Sequence, residues 1–387
     1  MNILVIYRRN IDINDSGASR TTIQLLNYLV NKNDVYCYTN FKIVCRGVDK
    51  IKYVDNIGIN IGKINRFIID NDIDIIFVPE GYLLSKIAHK ARLGTKCKLV
   101  GAMHNKPGYE KRRVWVGILE SLFFNESRFK RFRAFCAIVL YPIAYLYITQ
   151  KTIQGIRKGY KYSDKFVLLS KHYVASFKKV YRIDNDDKLE VIENALSFNK
   201  SISYDDVDKK EKKVLVVSRF SEMQKRLSIV FKVWSEIQDE FPDWTLNVVG
   251  FGRSFPFYKM LAKKYKMKNF FIKDEKRDTY EFYKKASIFL MTSDYEGWPM
   301  TLNETLQLGC VPIVMNSFDS LKDIIDNGKN GIVVDKNNIH TFKKKMSYLM
   351  KSKDKRKEMS MNGIESSKRF KREIICEKYY KLFKSLI

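Results

Sequence analysis

Glu296 and Glu304 flank a turn and a helix start within residues 293–312, Ser-Asp-Tyr-Glu-Gly-Trp-Pro-Met-Thr-Leu-Asn-Glu-Thr-Leu-Gln-Leu-Gly-Cys-Val-Pro. An apolar run ends near Thr292, and Gly297 and Pro299 mark the turn. An amphipathic helix is expected from about Met300 to Leu308, with Gly309 ending it and a strand beginning at Val311. A helix start leaves its first backbone N–H groups without partners, here those of Met300, Thr301 and Leu302. Those donors, with the partial positive charge of the helix end, suit a phosphate. Pro299 reads as the first helical residue, where a missing N–H costs nothing. Carboxylates accept hydrogen bonds from hydroxyls, so one Glu on either side of a diphosphate can hold a sugar and the other a ribose. A surface turn followed by an ordinary helix contains the same residue types, so the Glu pair alone is also compatible with a structural role.

Such residues need a scaffold, and the chain supplies one twice. Runs rich in Val and Ile at residues 2–7, 34–39, 73–79, 98–102, 165–170 and 189–192 read as buried strands separated by helical patterns, such as residues 20–30. The pattern restarts after a polar stretch at 197–212, which reads as a linker. The second series comprises residues 214–218, 245–249, 269–272, 288–292, 311–315 and 331–334. Continuous apolar strands alternating with helices imply parallel sheets covered on both faces. The expectation is α/β: two Rossmann-like doubly wound domains, residues 1–196 and 197–365, with a helix at 366–387 packing back toward the first. Ligands of such sheets sit at the carboxyl ends of the strands, which makes a cleft between the domains the expected active site.

Segment 293–312 resembles the Glu-seven-residues-Glu signature of retaining glycosyltransferases with two Rossmann domains (GT-B), family 4 in particular. Members carry Glu-Gly-Phe, then Glu-Ala-Met, then Gly-x-Pro-Val; here these are Glu296-Gly297-Trp298, Glu304-Thr305-Leu306 and Gly309-Cys310-Val311-Pro312. Val216-Val217-Ser218-Arg219-Phe220 with Lys225 resembles the family's strand, Gly-Arg and Lys segment, Ser218 replacing the Gly. The resemblance implies that Arg219 and Lys225 clamp the donor diphosphate, and fixed cations do stabilise charge developing on a leaving group. Val248-Val249-Gly250-Phe251-Gly252 resembles the turn beside the nucleotide, and Gly17-Ala18-Ser19-Arg20 the Gly-Gly loop near the donor phosphate, with Ser16 or Ala18 in place of one Gly. His104 resembles the cleft histidine that contacts the transferred sugar, and Asn194 is the polar residue retained from Val-Ile-Pro-Asn-Gly.

The resemblance covers most of the chain, densely over 213–335 and sparsely over 1–195. It implies a hexosyltransferase-type enzyme that retains configuration and needs no cofactor and no bound metal. The donor is expected to be a UDP- or GDP-linked sugar, held at Gly17, Arg219, Lys225, Gly250, Glu296, Gly297, Trp298, Met300, Thr301, Leu302 and Glu304. His104, Glu296, Arg219 and Lys225 are the catalytic candidates. The acceptor is expected to be a glycan or lipid-linked glycan of a bacterial cell-surface polysaccharide or lipopolysaccharide. The rivals are a non-catalytic polyanion-binding protein and a GT-B enzyme of another reaction, such as a sugar-nucleotide epimerase.

Charge bears on partners. The net of +28, from 71 basic and 43 acidic residues, fits nucleic acid, an anionic membrane or phosphorylated small molecules. With no recognised nucleic-acid module, nucleic acid is not expected. Six cysteines without a Cys-x-x-Cys pair, and a short N-terminal apolar run followed by Arg8 and Arg9, fit a reducing cytoplasm. Residues 111–165 hold 12 basic and 3 acidic residues around an aromatic-rich apolar run, 134–148, interrupted by Pro142. That run is shorter than the roughly 20 residues that span a bilayer. An insert at 111–162 of the first domain is therefore read either as a helix lying on an anionic leaflet, which puts the protein on the inner face of the cytoplasmic membrane, or as a buried helix pair with a basic rim. The tail, 336–387, has 16 basic and 5 acidic residues and reads as helices with a solvated face.

Overall fold

The computed structural model describes residues 1–7, 17–39, 51–54, 60–124, 127, 129, 132, 135, 136, 138, 141–275 and 279–387. Arg8, Arg9, Ser16, Arg128, Lys130, Arg131, Arg133 and part of the apolar run lie outside them. Contacts divide the chain into two compact units. The first comprises Met1–Glu110, Tyr147–Ala195 and Phe370–Ile387; the second comprises Lys111–Leu146 and Leu196–Arg369.

The first unit is built on a parallel sheet of β1 (Asn2–Tyr7), β2 (Asp34–Thr39), β3 (Lys52–Tyr53), β4 (Ile75–Val78), β5 (Lys98–Met103), β6 (Lys165–Leu168) and β7 (Leu189–Val191). Their spatial order is β3-β2-β1-β4-β5-β6-β7, so the winding reverses between β1 and β4. Alternate residues of a strand face opposite sides. Ile3, Val5 and Tyr7 accordingly join one core cluster, while Leu4 and Ile6 join another. Burial on both faces is why β1 reads as an unbroken apolar run. Each such side chain contributes about 1.5–3 kcal/mol on burial.

The last helix, Arg372–Lys384, belongs to this unit. Ile375, Cys376, Tyr379, Leu382 and Phe383 form one apolar stripe at helical spacing and complete the core under β1 and β4. The rings of Tyr379 and Phe383 lie 5.6 and 5.5 Å from that of Phe77. Tyr28 donates a hydrogen bond to Glu377, tying this helix to helix Gly17–Leu29.

The second unit contains β8 (Glu211–Arg219), β9 (Thr245–Phe251), β10 (Phe270–Asp274), β11 (Ala286–Met291), β12 (Val311–Asn316) and β13 (Ile332–Asp335), also all parallel. The order is β10-β9-β8-β11-β12-β13, with the reversal between β8 and β11. Trp234 and Trp244 anchor its core. The stretch read as a bare linker is partly anchored: Ile202 and Val207 are buried, and Gln307 donates to the Phe198 carbonyl at 2.8 Å. Its charged end joins β8, because Glu211 pairs with Ala286 of β11.

Residues 111–146, expected with the first domain, group with the second unit. Two contacts account for this. On helix Glu110–Phe124, Glu120 accepts a hydrogen bond from Ser221, and the ring of Phe124 packs edge-on against Phe257 at 5.1 Å.

Candidate functional site

The reversal between β8 and β11 places two loops side by side at the carboxyl ends of adjacent strands, where doubly wound sheets take ligands. β8 delivers Arg219, and a short helix, Glu222–Lys225, follows. β11 delivers Thr292 to Pro299 and then helix Met300–Gln307.

The two loops are stitched together. Lys225 and Glu296, 71 positions apart in sequence, form an ion pair at 2.5 Å with side chains only 15% and 9% exposed. Thr292 donates to the Lys225 and Arg226 carbonyls at 2.9 and 3.1 Å. The Asp294 amide donates to the Gln224 carbonyl at 2.7 Å. Arg219, an exposed side chain, donates to the Gln224 side chain at 2.6 Å, and Gln224 donates onward to the Tyr295 carbonyl at 3.3 Å. Gln224, which sequence reasoning missed, thus sets the Arg219 guanidinium. Its only signal was its place between Arg219 and Lys225.

Underneath, Glu222 accepts hydrogen bonds from the Ser228 amide at 3.2 Å and the Tyr258 hydroxyl at 2.9 Å. Burial raises its carboxyl above the ordinary value, against those hydrogen bonds. Burial likewise pushes the Tyr295 phenol up to about 12, with Arg219 opposing. The Ser320 hydroxyl donates to the Gly297 carbonyl at 2.8 Å and holds the turn.

The helix start differs from the sequence expectation in two respects. Pro299 is the N-cap, with φ −73° and ψ 103°, so Met300 is the first helical residue. The Leu302 amide donates to the Pro299 carbonyl at 3.0 Å, a tightened first turn that removes it from the set of phosphate donors. Met300 and Thr301 are the remaining amides of the expected three. Glu296, Trp298 and Glu304 are all buried. The helix closes as expected: Gly309 takes a left-handed φ of 61°, and the Cys310 amide reaches the Thr305 carbonyl at 2.9 Å.

Gly250 stands opposite Ser218 across β9 and β8. A Cβ there would lie 1.7 Å from the Ser218 carbonyl oxygen, and one at Gly252 would lie 2.3 Å from that of Phe220. The two glycines allow the β8 and β9 loops to touch.

Arg219, Lys225, Gly250, Glu296, Gly297, Trp298, Met300, Thr301, Leu302 and Glu304 therefore all belong to the second unit, while Gly17 and His104 belong to the first. Gly17 is the first residue of helix Gly17–Leu29, its carbonyl accepting from Thr21 at 3.0 Å. His104 directly follows β5. Burial pushes its imidazole down to about 4, with the neighbouring Asn194 side chain opposing. This carries a pH prediction. The folded value lies below the unfolded one of about 6.5, so the unfolded chain binds the extra proton between pH ~4 and ~6.5. Stability is full above that window and falls as pH drops through it, by at most about 3 kcal/mol. His104→Gln should flatten this part of the curve, as read by denaturant unfolding near pH 7.5 and pH 4.5.

The family model described as "Glycosyl transferases group 1" matches residues 199–366, which hold the whole paired-loop site. Over 228 residues the chain is 27% identical to the amylovoran biosynthesis glycosyltransferase AmsD of Erwinia amylovora, covering 57% of this chain and 62% of the relative. Over 296 residues it is 22% identical to a Campylobacter jejuni alpha-1,4-N-acetyl-D-galactosaminyltransferase named for a diNAcBac-PP-undecaprenol acceptor, covering 76% and 69%. Across the curated relatives the matched stretch spans between 25% and 69% of their length. The fold is similar along 100% of both chains to Anabaena HepE, a crystal structure in complex with UDP-glucose, at a TM-score of 0.74 and 13% identity.

Proposed function

We infer that this chain, a member of the group 1 glycosyl transferases through residues 199–366, moves a sugar from a nucleoside-diphosphate sugar to a hydroxyl of a glycan or lipid-linked glycan in bacterial surface-polysaccharide synthesis. The observation that carries the reading is the Lys225–Glu296 pair beside the start of helix Met300–Gln307. It sets a cation, a carboxylate and backbone N–H donors around one spot, which is what a diphosphate bearing a hydroxylated sugar needs. Relatives named for amylovoran biosynthesis and for a diNAcBac-PP-undecaprenol acceptor support the acceptor class.

In this reading Arg219, Lys225 and the amides of Met300 and Thr301 receive the diphosphate. Their charge does for the leaving group what a metal ion does elsewhere, so no metal is required. Glu296 accepts hydrogen bonds from the sugar and Glu304 from the ribose. The bond from the anomeric carbon to the phosphate oxygen breaks as the acceptor oxygen bonds to the same face, and the acceptor proton passes to the departing phosphate. Configuration is thereby retained.

Incubation with radiolabelled UDP- and GDP-sugars and bacterial lipid extract should move label into the lipid or glycan fraction, with the product's anomeric configuration read by NMR. The reading fails if no donor is consumed while polynucleotides bind with a steep salt dependence. Glu304→Ala should weaken UDP or GDP binding about tenfold, the loss of a charge-assisted hydrogen bond to a hydroxyl. Unchanged affinity in calorimetry would remove Glu304 from the ribose role.

A further inference from the structure

The first unit carries a concave polar surface outside the donor site. Helix Gly81–Ala91 and helix Tyr141–Tyr162 are joined near their C-terminal ends, where the rings of His89 and Tyr162 stack at 4.4 Å and Arg92 donates to the Tyr162 carbonyl at 2.9 Å. Beside that staple lies a groove of about 600 Å³. Ordinary ligand sites occupy roughly 300–1,000 Å³. Tyr147, Gln150, Lys151, Gln154, Gly155 and Lys158 line it from the second helix. They recur every three to four residues, so they form one helical stripe, about 16 Å long. Lys86 lines the groove from the first helix. The other side of the second helix is core: Ile156 and Tyr160 pack with Phe166 and Phe177.

Three features set this stripe apart from an ordinary solvated face. Its charge has one sign, because neither helix contains an Asp or Glu and none occurs from residue 127 to 163. Its cations are uncommitted: among the described residues no carboxylate pairs with Lys86, Lys151 or Lys158, whereas Lys165 and Lys178 on following elements pair with Glu190 and Asp186. Like charges gathered around a concavity repel one another and concentrate anions there. Thirdly, the Tyr147 ring is 63% exposed, with the Lys151 ammonium 5.6 Å from its centre. An exposed ring offers a flat apolar face to a sugar. Gln150 and Gln154 offer amide donors and acceptors to hydroxyls. A groove for single-stranded nucleic acid stacks successive bases on several rings. Among the described residues, this one is lined by a single ring. We propose that the groove between helices Gly81–Ala91 and Tyr141–Tyr162 binds an anionic glycan, with Tyr147 against a sugar ring, Gln150 and Gln154 on hydroxyls, and Lys86, Lys151 and Lys158 on the acid groups. The choice of a glycan over another polyanion rests on the sugar-transfer reading.

The test titrates the full-length chain, without any nucleotide, in a calorimeter near physiological salt. The probes are a galacturonate tetrasaccharide and its carboxyl methyl ester, which keeps the sugar chain and removes the charge. The acid should bind at least about tenfold more tightly than the ester, the effect expected of three ion pairs at an exposed surface. Lys86→Gln, Lys151→Gln and Lys158→Gln together should erase that preference, with UDP binding and circular dichroism unchanged. Tyr147→Ala should weaken acid and ester alike, by about fivefold. Failure of the acid to bind, equal binding of acid and ester, or a triple glutamine variant that binds the acid like the parent would each overturn the proposal. So would a single-stranded oligonucleotide of equal charge that binds more tightly than the acid and loses that advantage in the triple glutamine variant, which would make the ligand nucleic acid. With no donor present, the result is separable from the transferase reading. Sugar transfer by the parent alongside equal binding of acid and ester sinks the groove alone, and charge-selective binding without transfer sinks the transferase reading alone.

Discussion

Lys225→Ala is expected to lower sugar transfer by about 10²–10³, the magnitude typical of removing one fixed group that stabilises developing charge. The loss should appear in kcat as well as kcat/KM, because in the proposed reaction the leaving diphosphate carries most negative charge in the transition state. A second consequence follows from the geometry. The Glu296 carboxylate, 9% exposed and 2.5 Å from the Lys225 ammonium, would lose its counter-ion, and orphaning one member of a buried pair costs about 3 kcal/mol. Lys225→Ala should therefore melt lower than the parent, and adding Glu296→Gln should restore much of the stability while restoring none of the activity. That split separates a chemical role from a structural one. If the double variant regains turnover, Lys225 serves only to neutralise Glu296. Donor consumption and thermal unfolding, measured on the same three preparations, decide it.

Gly250→Ala should be the most damaging single-methyl change in the second unit. Its Cβ would sit 1.7 Å from the Ser218 carbonyl oxygen, less than half the usual contact distance of about 3.5–4 Å. The Ser218 oxygen is backbone of the adjacent strand β8, so no side-chain rotation relieves the clash. β8 and β9 must part at the level of Ser218, and with them the link from the Phe220 amide to the Phe251 carbonyl at 2.6 Å. A cost of about 4 kcal/mol is expected, comparable to a severe core defect, which corresponds to a fall in melting temperature of roughly 8–16 °C for a unit of this size. The transition assigned to the second unit should move, while the first unit's core, to which Gly250 does not belong, keeps its own. A variant that melts with the parent would mean that the β8–β9 approach is looser than the structure has it.

Both predictions depend on residues whose types were legible before any coordinates, and they differ in how legible the reason was. The strand series was readable because parallel strands covered on both faces leave no room for polar residues, as β1 and β11 demonstrate with every residue or nearly every residue buried. The turn before residue 300 was readable because Pro and Gly restrict or relax the backbone locally. Which way Pro299 resolves, as N-cap rather than first helical residue, was not local. It depends on a loop held by Ser320 from the far side and by Gln224 from another strand. The membership of residues 111–146 was likewise hidden, since their contacts to Ser221 and Phe257 lie more than a hundred positions downstream.

The Glu-Gly-Trp-Pro turn, the helix start and the Arg and Lys after the first strand of the second series are short-range features, and the sequence by itself determined them together with the two-sheet architecture and the basic, aromatic segment. Tertiary structure alone decided that Lys225 and Glu296 are partners and that Gly250 is where two backbones touch. The physical reason is strand order. With the winding reversed between β8 and β11, residues 71 positions apart become neighbours, and no periodicity within either segment encodes which strand lies beside which.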